Sequence, residues 1–299
     1  DEVKCKAILE AEKRSGKKVI VAFNYRHSVH NMQLKELLAA ERVGKITSVD
    51  FHWYLNVYHG ADYFRRWHGR MNKSGSLWVH KATHHFDLLN WWVNSEPVEV
   101  SAYGSLEHYG KNNSFRGTSC RTCEHKGKFF WDMTRDARLM SLYAENEKYD
   151  GYLRDGCVWS NEVDIFDKMS AQIIYANGIT ANYSLTTYSP YEGWKIAFNG
   201  MKGRIETWED IPYMQKIAED QSTKHAVEMS NADDAVAGEY RQIIAMDNFS
   251  KKFEVYTTPI IKAGHGGGDT RMHRRIFVDT NDNPHHIMAG TREGAMSIL

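Results

Sequence analysis

Residues 168–187 read KMSAQIIYANGITANYSLTT. Two strand-like runs, Lys168 to Tyr175 and Ile179 to Thr187, flank Asn177-Gly178. An Asn-Gly pair supplies the positive φ angles that a tight hairpin turn needs. Trp194 to Asn199 and Arg204 to Trp208 form the next pair, across a second glycine-containing turn. Arg241 to Met246 and Phe253 to Tyr256 add two more strands. Upstream, Ile46 to Asn56 (ITSVDFHWYLN) sets bulky residues on alternate positions, and Val98 to Leu106 is strand-like. Sequential strands joined by tight turns are antiparallel. The pattern predicts a fold of the α/β class, α+β type: a large, mostly antiparallel open sheet with helices on one face. Thr83 to Trp92 reads as an apolar helix, and residues 110–160, irregular and polar, as a long insertion.

The first 45 residues follow another grammar. Val3, Ala7, Ile8 and Ala11 recur at helical spacing before Ser15-Gly16. Lys18 to Phe23 (KVIVAF) has the pattern of a strand buried on both faces. A second helix is predicted over His30 to Glu41, with Leu34, Leu37 and Leu38 on one side and Gly44 as its C-terminal cap. Helix, buried strand, helix is how a doubly wound domain finishes. Residues 1–28 are therefore read as the remnant of a dinucleotide-binding domain, and 29–299 as a substrate-binding and oligomerisation domain. No GxGxxG follows a strand. The final AMSIL, Ala295 to Leu299, reads as a helix interrupted part-way, so truncation is expected at both ends.

Composition narrows the function classes. Lys plus Arg and Asp plus Glu both total 38, which leaves no basic excess for nucleic acid. No run of about 18 apolar residues predicts a membrane span. Four cysteines, Cys5, Cys120, Cys123 and Cys157, are too few for a disulfide scaffold, which favours a reducing, cytoplasmic setting. Nine Trp and 16 Tyr suit stacking on sugar rings, a large sheet core or a subunit interface equally well.

Four segments carry chemistry. Ser74 to Asp87 (SGSLWVHKATHHFD) holds His80, Lys81, His84, His85 and Asp87; one continuous helix would put His80, His84 and Asp87 on one face. A His and a Lys aimed into one pocket can exchange protons with a sugar hydroxyl. The competing readings are structural histidines and a metal pair that lacks a third ligand. Tyr58 to His68 (YHGADYFRRWH) gathers Tyr58, Arg65, Arg66 and Trp67, forked donors and a stacking face for substrate, or else a rim loop held by its own aromatics. Gly264 to Asp269 (GHGGGD) reads as a shaped loop presenting His265 and Asp269. Cys120, Cys123, His125 and Cys157 are a weak zinc candidate, with free cysteines the simpler reading.

The segment around His80 to His84 resembles the helix motif in the C-terminal domain of the Gfo/Idh/MocA oxidoreductase family. The resemblance extends along nearly all of the chain, through Ala22 to Arg26 (AFNYR) and Gly44-Lys45-Ile46 at the family's domain junction. It implies that His80 and His84 face nicotinamide and substrate and that Lys81 matches the lysine of one subgroup. His80 stands where many relatives carry Asp or Glu. Tyr25 and Arg26 would sit at the cofactor edge. The family's Glu-Lys-Pro lysine would lie before residue 1. The loop Tyr58 to His68, Tyr188, His265 and Asp269 would border the substrate.

The function expected is therefore substrate binding in an oxidoreductase that moves hydride between NAD or NADP and a CH–OH carbon of a sugar, cyclitol or related polyol. Lys81 and His84 would orient and deprotonate the hydroxyl, with His80 assisting. The 299 residues alone are expected to bind the cofactor poorly and to lack activity. Two alternatives stand: an NAD-dependent glycosidase of the same superfamily, and a non-catalytic carbohydrate-binding or oligomerisation module. A broad open sheet needs cover on one face, so a homo-oligomer, dimer or tetramer, is expected, without nucleic acid or membrane as partner.

Overall fold

The computed structural model describes residues 1–214 and 234–299. Its centre is an eight-stranded sheet in the order β2-β3-β4-β1-β5-β6-β7-β8. The strands are β1 (Ile46–Asn56), β2 (Pro97–Ser105), β3 (Lys168–Tyr175), β4 (Thr180–Ser189), β5 (Gly193–Gly200), β6 (Gly203–Glu209), β7 (Asp234–Asp247) and β8 (Phe253–Lys262). Every pairing is antiparallel except β1 with β4. The β3–β4 hairpin turns at Gly178, whose φ of 84° is the left-handed conformation that the Asn-Gly pair predicts.

Strand alternation sorts the residues between two faces. Val49, Phe51, Trp53 and Leu55 of β1 point inward. Phe51 pairs in register with Tyr183 on one side and Ile196 on the other; Trp53 pairs with Leu185 and Trp194. Helix α6 (Ala82–Val93) belongs to this face and buries Leu88, Leu89, Trp91 and Trp92. Each large side chain withdrawn from water in this layer contributes on the order of 2–3 kcal/mol. The other face is hydrogen-bonded across strands at its centre: His52 to Ser184 at 2.8 Å, Asn182 to Asp50 at 3.0 Å and Asn199 to Ser48 at 3.0 Å. Toward β7 and β8 that face turns apolar, with Met246, Phe253 and Val255 exposed.

The earlier helices are α1 (Glu2–Ser15), α2 (Val29–Ala39), α3 (Val57–Phe64) and the single turns α4 (Met71–Ser74) and α5 (Ser76–His80). Helix α3 lies directly on β4, because a Cβ at Gly60 would come within 1.7 Å of the Thr187 carbonyl. Residues 110–160 are irregular, with helical turns at Ala137–Leu139 and Glu147–Asp150. The buried carboxylate of Asp167 anchors the start of that segment by accepting the N–H groups of Glu107, His108 and Tyr109.

Several expectations need correction. Lys18 to Phe23 is not a strand buried on both faces: it makes one bridge, Val21 with Ala289, and leaves Val19 and Ile20 exposed. An extended run is a strand only where a neighbour pairs with it, and none of the described strands reaches this one. Helix α2 ends at Ala39, so Gly44 (φ 73°) shapes the turn into β1 rather than capping the helix. GHGGGD leads into a helix that the sequence did not announce, Gly268–Phe277. The C-terminal apolar stretch is helical as expected, within a helix over Thr291–Ile298 that packs on α6 and α1.

Candidate active site

The segment that carries the histidines is not one continuous helix. It breaks at Lys81 (φ −112°, ψ −50°), between α5 and α6. The break parts His80 from the face that continuous helical spacing would give it. His80 packs edge-on against Tyr63, Trp67 and His68, at ring separations of 5.5, 5.9 and 4.2 Å. His84 instead meets Phe23 and Tyr25 edge-on at 5.5 and 5.7 Å. Asp87 faces Arg26.

Lys81 lies at the junction, buried, with its ammonium 5.7 Å from the ring centres of both Tyr25 and Trp53. Ring faces carry negative potential and hold a cation without neutralising it. Beneath it, Trp53 is stacked on His85, whose Nδ1 pairs with the Tyr183 hydroxyl at 2.7 Å.

Tyr25 joins the sheet to a distant loop. Its ring meets His265 edge-on at 4.9 Å. His265, Gly266 and Gly267 all have left-handed φ, and a Cβ at Gly268 would come within 2.5 Å of the Asn24 carbonyl. That close approach lets Asp269 accept the Asn24 amide at 2.6 Å and pair with His265 Nδ1 at 2.9 Å.

Burial, with Lys81 and then His265 next in effect, lowers the pKa of His84 to about 3. Burial, then Arg66 and Lys81, lowers His80 to about 4. These imidazoles are neutral near pH 7, with a ring nitrogen able to accept a hydrogen bond. The Nδ1 atoms of His68, His80 and His84 are buried without a hydrogen-bond partner, as is Asn24 Oδ1. Buried polar atoms normally have partners, so these four are departures from the rule in the segments next to Lys81, Tyr25 and Trp67.

Of the residues singled out in the sequence, the structure gathers Tyr25, Lys81, His84, His265 and Asp269 closely, with His80, Arg66 and Trp67 on the other side of Lys81. The remainder stand elsewhere. Arg26, 2% exposed, spends its guanidinium on Asp87 (2.6 and 2.7 Å) and the His286 carbonyl. Arg65 is buried against Asp62 and the Ala61 carbonyl. Tyr58 donates to Asp136 at 3.2 Å and packs on Phe130, within the insertion. Tyr188 stacks on His108, one position out of phase with the inward-facing Tyr183 and Leu185. Cys120, Cys123, His125 and Cys157 line one small cavity, but no three His, Cys, Asp or Glu side chains among the described residues are arranged to hold a metal ion.

Asn24, Trp53, His68 and His85 also belong to the site. Asn24 and His68 lie inside the quoted motifs, while nothing in the sequence separates Trp53 from the other core aromatics.

Residues 35–298 match the family described as "Oxidoreductase family, C-terminal alpha/beta domain". The chain belongs to the Gfo/Idh/MocA oxidoreductase family. It is 36% identical over 310 residues to YteT of Bacillus subtilis (strain 168), a protein named as an oxidoreductase; the match covers 97% of this chain and 67% of YteT. Among solved structures, the aldose-aldose oxidoreductase from Caulobacter crescentus, complexed with glycerol, shares the fold with a TM-score of 0.55 at 14% identity, over 99% of this chain and 63% of that one. KijD10, a 3-ketoreductase from Actinomadura kijaniata in complex with NADP, gives a TM-score of 0.54 at 10% identity, over 100% of this chain and 65% of that one. The chain thus spans about two thirds of the length of these relatives. No helix among the described residues is long and apolar enough to cross a membrane.

Proposed function

We propose that the full-length protein is an NAD(P)-dependent oxidoreductase acting at a CH–OH carbon of a sugar, cyclitol or related polyol, with this chain as its substrate-binding part. The observation that carries the reading is Lys81, a buried ammonium on two aromatic faces, flanked by neutral imidazoles with unpartnered buried nitrogens.

A nicotinamide cofactor would supply the hydride acceptor or donor. The residues fit such a group: Tyr25 and His84 offer ring edges, and Asn24 Oδ1 and His84 Nδ1 are orphaned polar atoms beside them. In this reading Lys81 donates to the substrate oxygen and stabilises charge developing there. His84 takes the hydroxyl proton as a neutral base, and His80 and His68 receive the neighbouring hydroxyls. His265 is steadied by Asp269 against Tyr25, beside His84.

The apolar area on β7 and β8, with Met246, Phe253 and Val255 exposed, is proposed to pair with a second copy in a homo-oligomer. The test of function is a panel of polyols offered to the full-length protein with NAD and with NADP. Reduced cofactor should form with at least one cyclic polyol, and Lys81→Met should abolish it. A panel with no turnover, or full turnover by Lys81→Met, defeats the reading.

A further inference from the structure

Beyond Trp67, on the side away from the sheet core, lies a cavity of about 270 Å³ between residues 64–73 and residues 151–163. Arg66, Arg70 and Lys73 line it, with the buried Arg65 behind them, against one carboxylate, Glu162. Glu162 is paired with Arg70. Asp164, just outside, accepts the Met71 N–H at 2.6 Å. Lys73 has no acidic partner among the described residues.

The wall behind the cavity is also cationic. The Asp62 carboxylate faces three guanidiniums, those of Arg65 at 3.7 Å, Arg66 at 2.8 Å and Arg154. Burial pushes the Asp62 carboxyl up, but Arg66, Arg65 and Arg154 outweigh it and hold it at about 2. Asp132 also acts on Arg65, but two negative charges among three positive ones still leave an excess, and removing charge from water is costly unless a counter-charge is supplied. An anion entering the cavity supplies it. Trp67 is 41% exposed and stacked on His68, so its indole forms a flat wall of the same cavity.

We propose that this cavity seats the carboxylate of an acidic sugar, a uronate, with the sugar ring against Trp67. The inference rests on the saccharide reading above and extends it to a charged substrate. Arginine forks match the two oxygens of a carboxylate, and the indole face suits the apolar side of a pyranose. His80, next to Lys81 in the chain, packs edge-on against Trp67 at 5.9 Å, so the cavity abuts the residues of the site.

The test is binding of glucuronate, glucose and glucose 6-phosphate to the full-length protein, read by tryptophan fluorescence at low ionic strength. Glucuronate should bind at least about 10-fold more tightly than glucose, and added salt should erode the preference. Arg70→Ala combined with Lys73→Ala should reduce that preference to about 3-fold or less. Equal binding of glucuronate and glucose overturns the proposal. So does a preference for glucose 6-phosphate over glucuronate, or a preference that survives the double substitution. Because binding is read without turnover, uronate recognition by a protein that oxidises no polyol would sink the oxidoreductase reading alone. Oxidation of neutral polyols without a uronate preference would sink this one alone.

Discussion

The imidazole of His85 lies flat on the indole of Trp53, with ring centroids 3.7 Å apart and planes 12° from parallel. Lys81 stands 5.7 Å from the same indole, so the stack forms the floor of the site. His85 is fully buried, and its one described hydrogen bond is to the Tyr183 hydroxyl. His85→Ala removes the lower ring and strands that hydroxyl. A loss of about 2–4 kcal/mol in unfolding free energy is expected, as for other buried truncations that also orphan a polar group. Urea denaturation measures it; a change under about 0.5 kcal/mol would mean that the stack does not support the core.

Arg26 and Asp87 make a buried bidentate pair at 2.6 and 2.7 Å. It fastens the segment entering α2 to α6, and thereby places Tyr25 beside His84. Asp87→Ala leaves a buried guanidinium uncompensated and should cost about 3–5 kcal/mol. Replacing both partners with apolar residues, Arg26→Met with Asp87→Leu, should recover most of that loss. If the double variant is no more stable than Asp87→Ala, the pair acts through more than its charges. Denaturation of the three proteins decides between these outcomes.

Buried imidazoles predict the direction of the pH dependence. His30 is held between the hydroxyls of Thr258 and Thr207 at 2.9 and 2.8 Å, and burial followed by the Arg241 charge lowers its pKa to about 3. His80 and His84 are depressed to about 4 and about 3. An unfolded imidazole takes its proton near pH 6.5. Between that pH and the folded values the unfolded chain binds more protons, so stability is full above 6.5 and is lost as pH falls toward 4. Carboxylates held low, such as Asp62, contribute in the same direction, while Asp87, raised to about 6 by burial, opposes them, so the informative comparison is with His30→Gln. That variant should show a shallower fall in unfolding free energy between about pH 7 and pH 4.5. Equal slopes would mean that His30 titrates normally when folded.

The strands were legible because their signals are local. Ile46 to Asn56 alternates strictly, and its strand has those bounds; Asn177-Gly178 dictates its own turn. What was hidden depends on partners distant in sequence. KVIVAF carries the composition of a buried strand, but composition does not provide a neighbour to pair with. Tyr188 differs from Leu185 by an odd number of residues, and on a pleated strand that parity alone moves it off the site's face. The spacing of His80 and His84 assumed an unbroken helix, whereas the chain turns at Lys81 and sends the two rings to different neighbours. Lys81, His84 and the 264–269 loop stand out in the sequence nonetheless, because concentrated ionisable groups beside apolar residues, and glycines around a lone histidine, are unusual in any local context.

Asn24 and Asp269, 245 residues apart, are joined at 2.6 Å, and the same carboxylate holds His265 at 2.9 Å. This contact fixes two segments whose rings, Tyr25 and His265, meet over the site. Asp269 acts on His84 as a nearby negative charge and holds the His265 ring that meets Tyr25, so its effect on catalysis is one of placement. Asp269→Ala removes the carboxylate shared by the Asn24 amide and the His265 ring, leaving the 2.8 Å contact between those two, and should cost about 1–3 kcal/mol of stability. In the full-length protein it should lower kcat/KM for the polyol substrate about 10-fold, mainly through KM, because ligand placement suffers while Lys81 and His84 stay in position. Asp269→Asn keeps an acceptor for Asn24 and should recover part of the loss. A collapse of kcat with KM unchanged would instead place Asp269 among the groups that act in the transition state, and this account of the loop would be wrong.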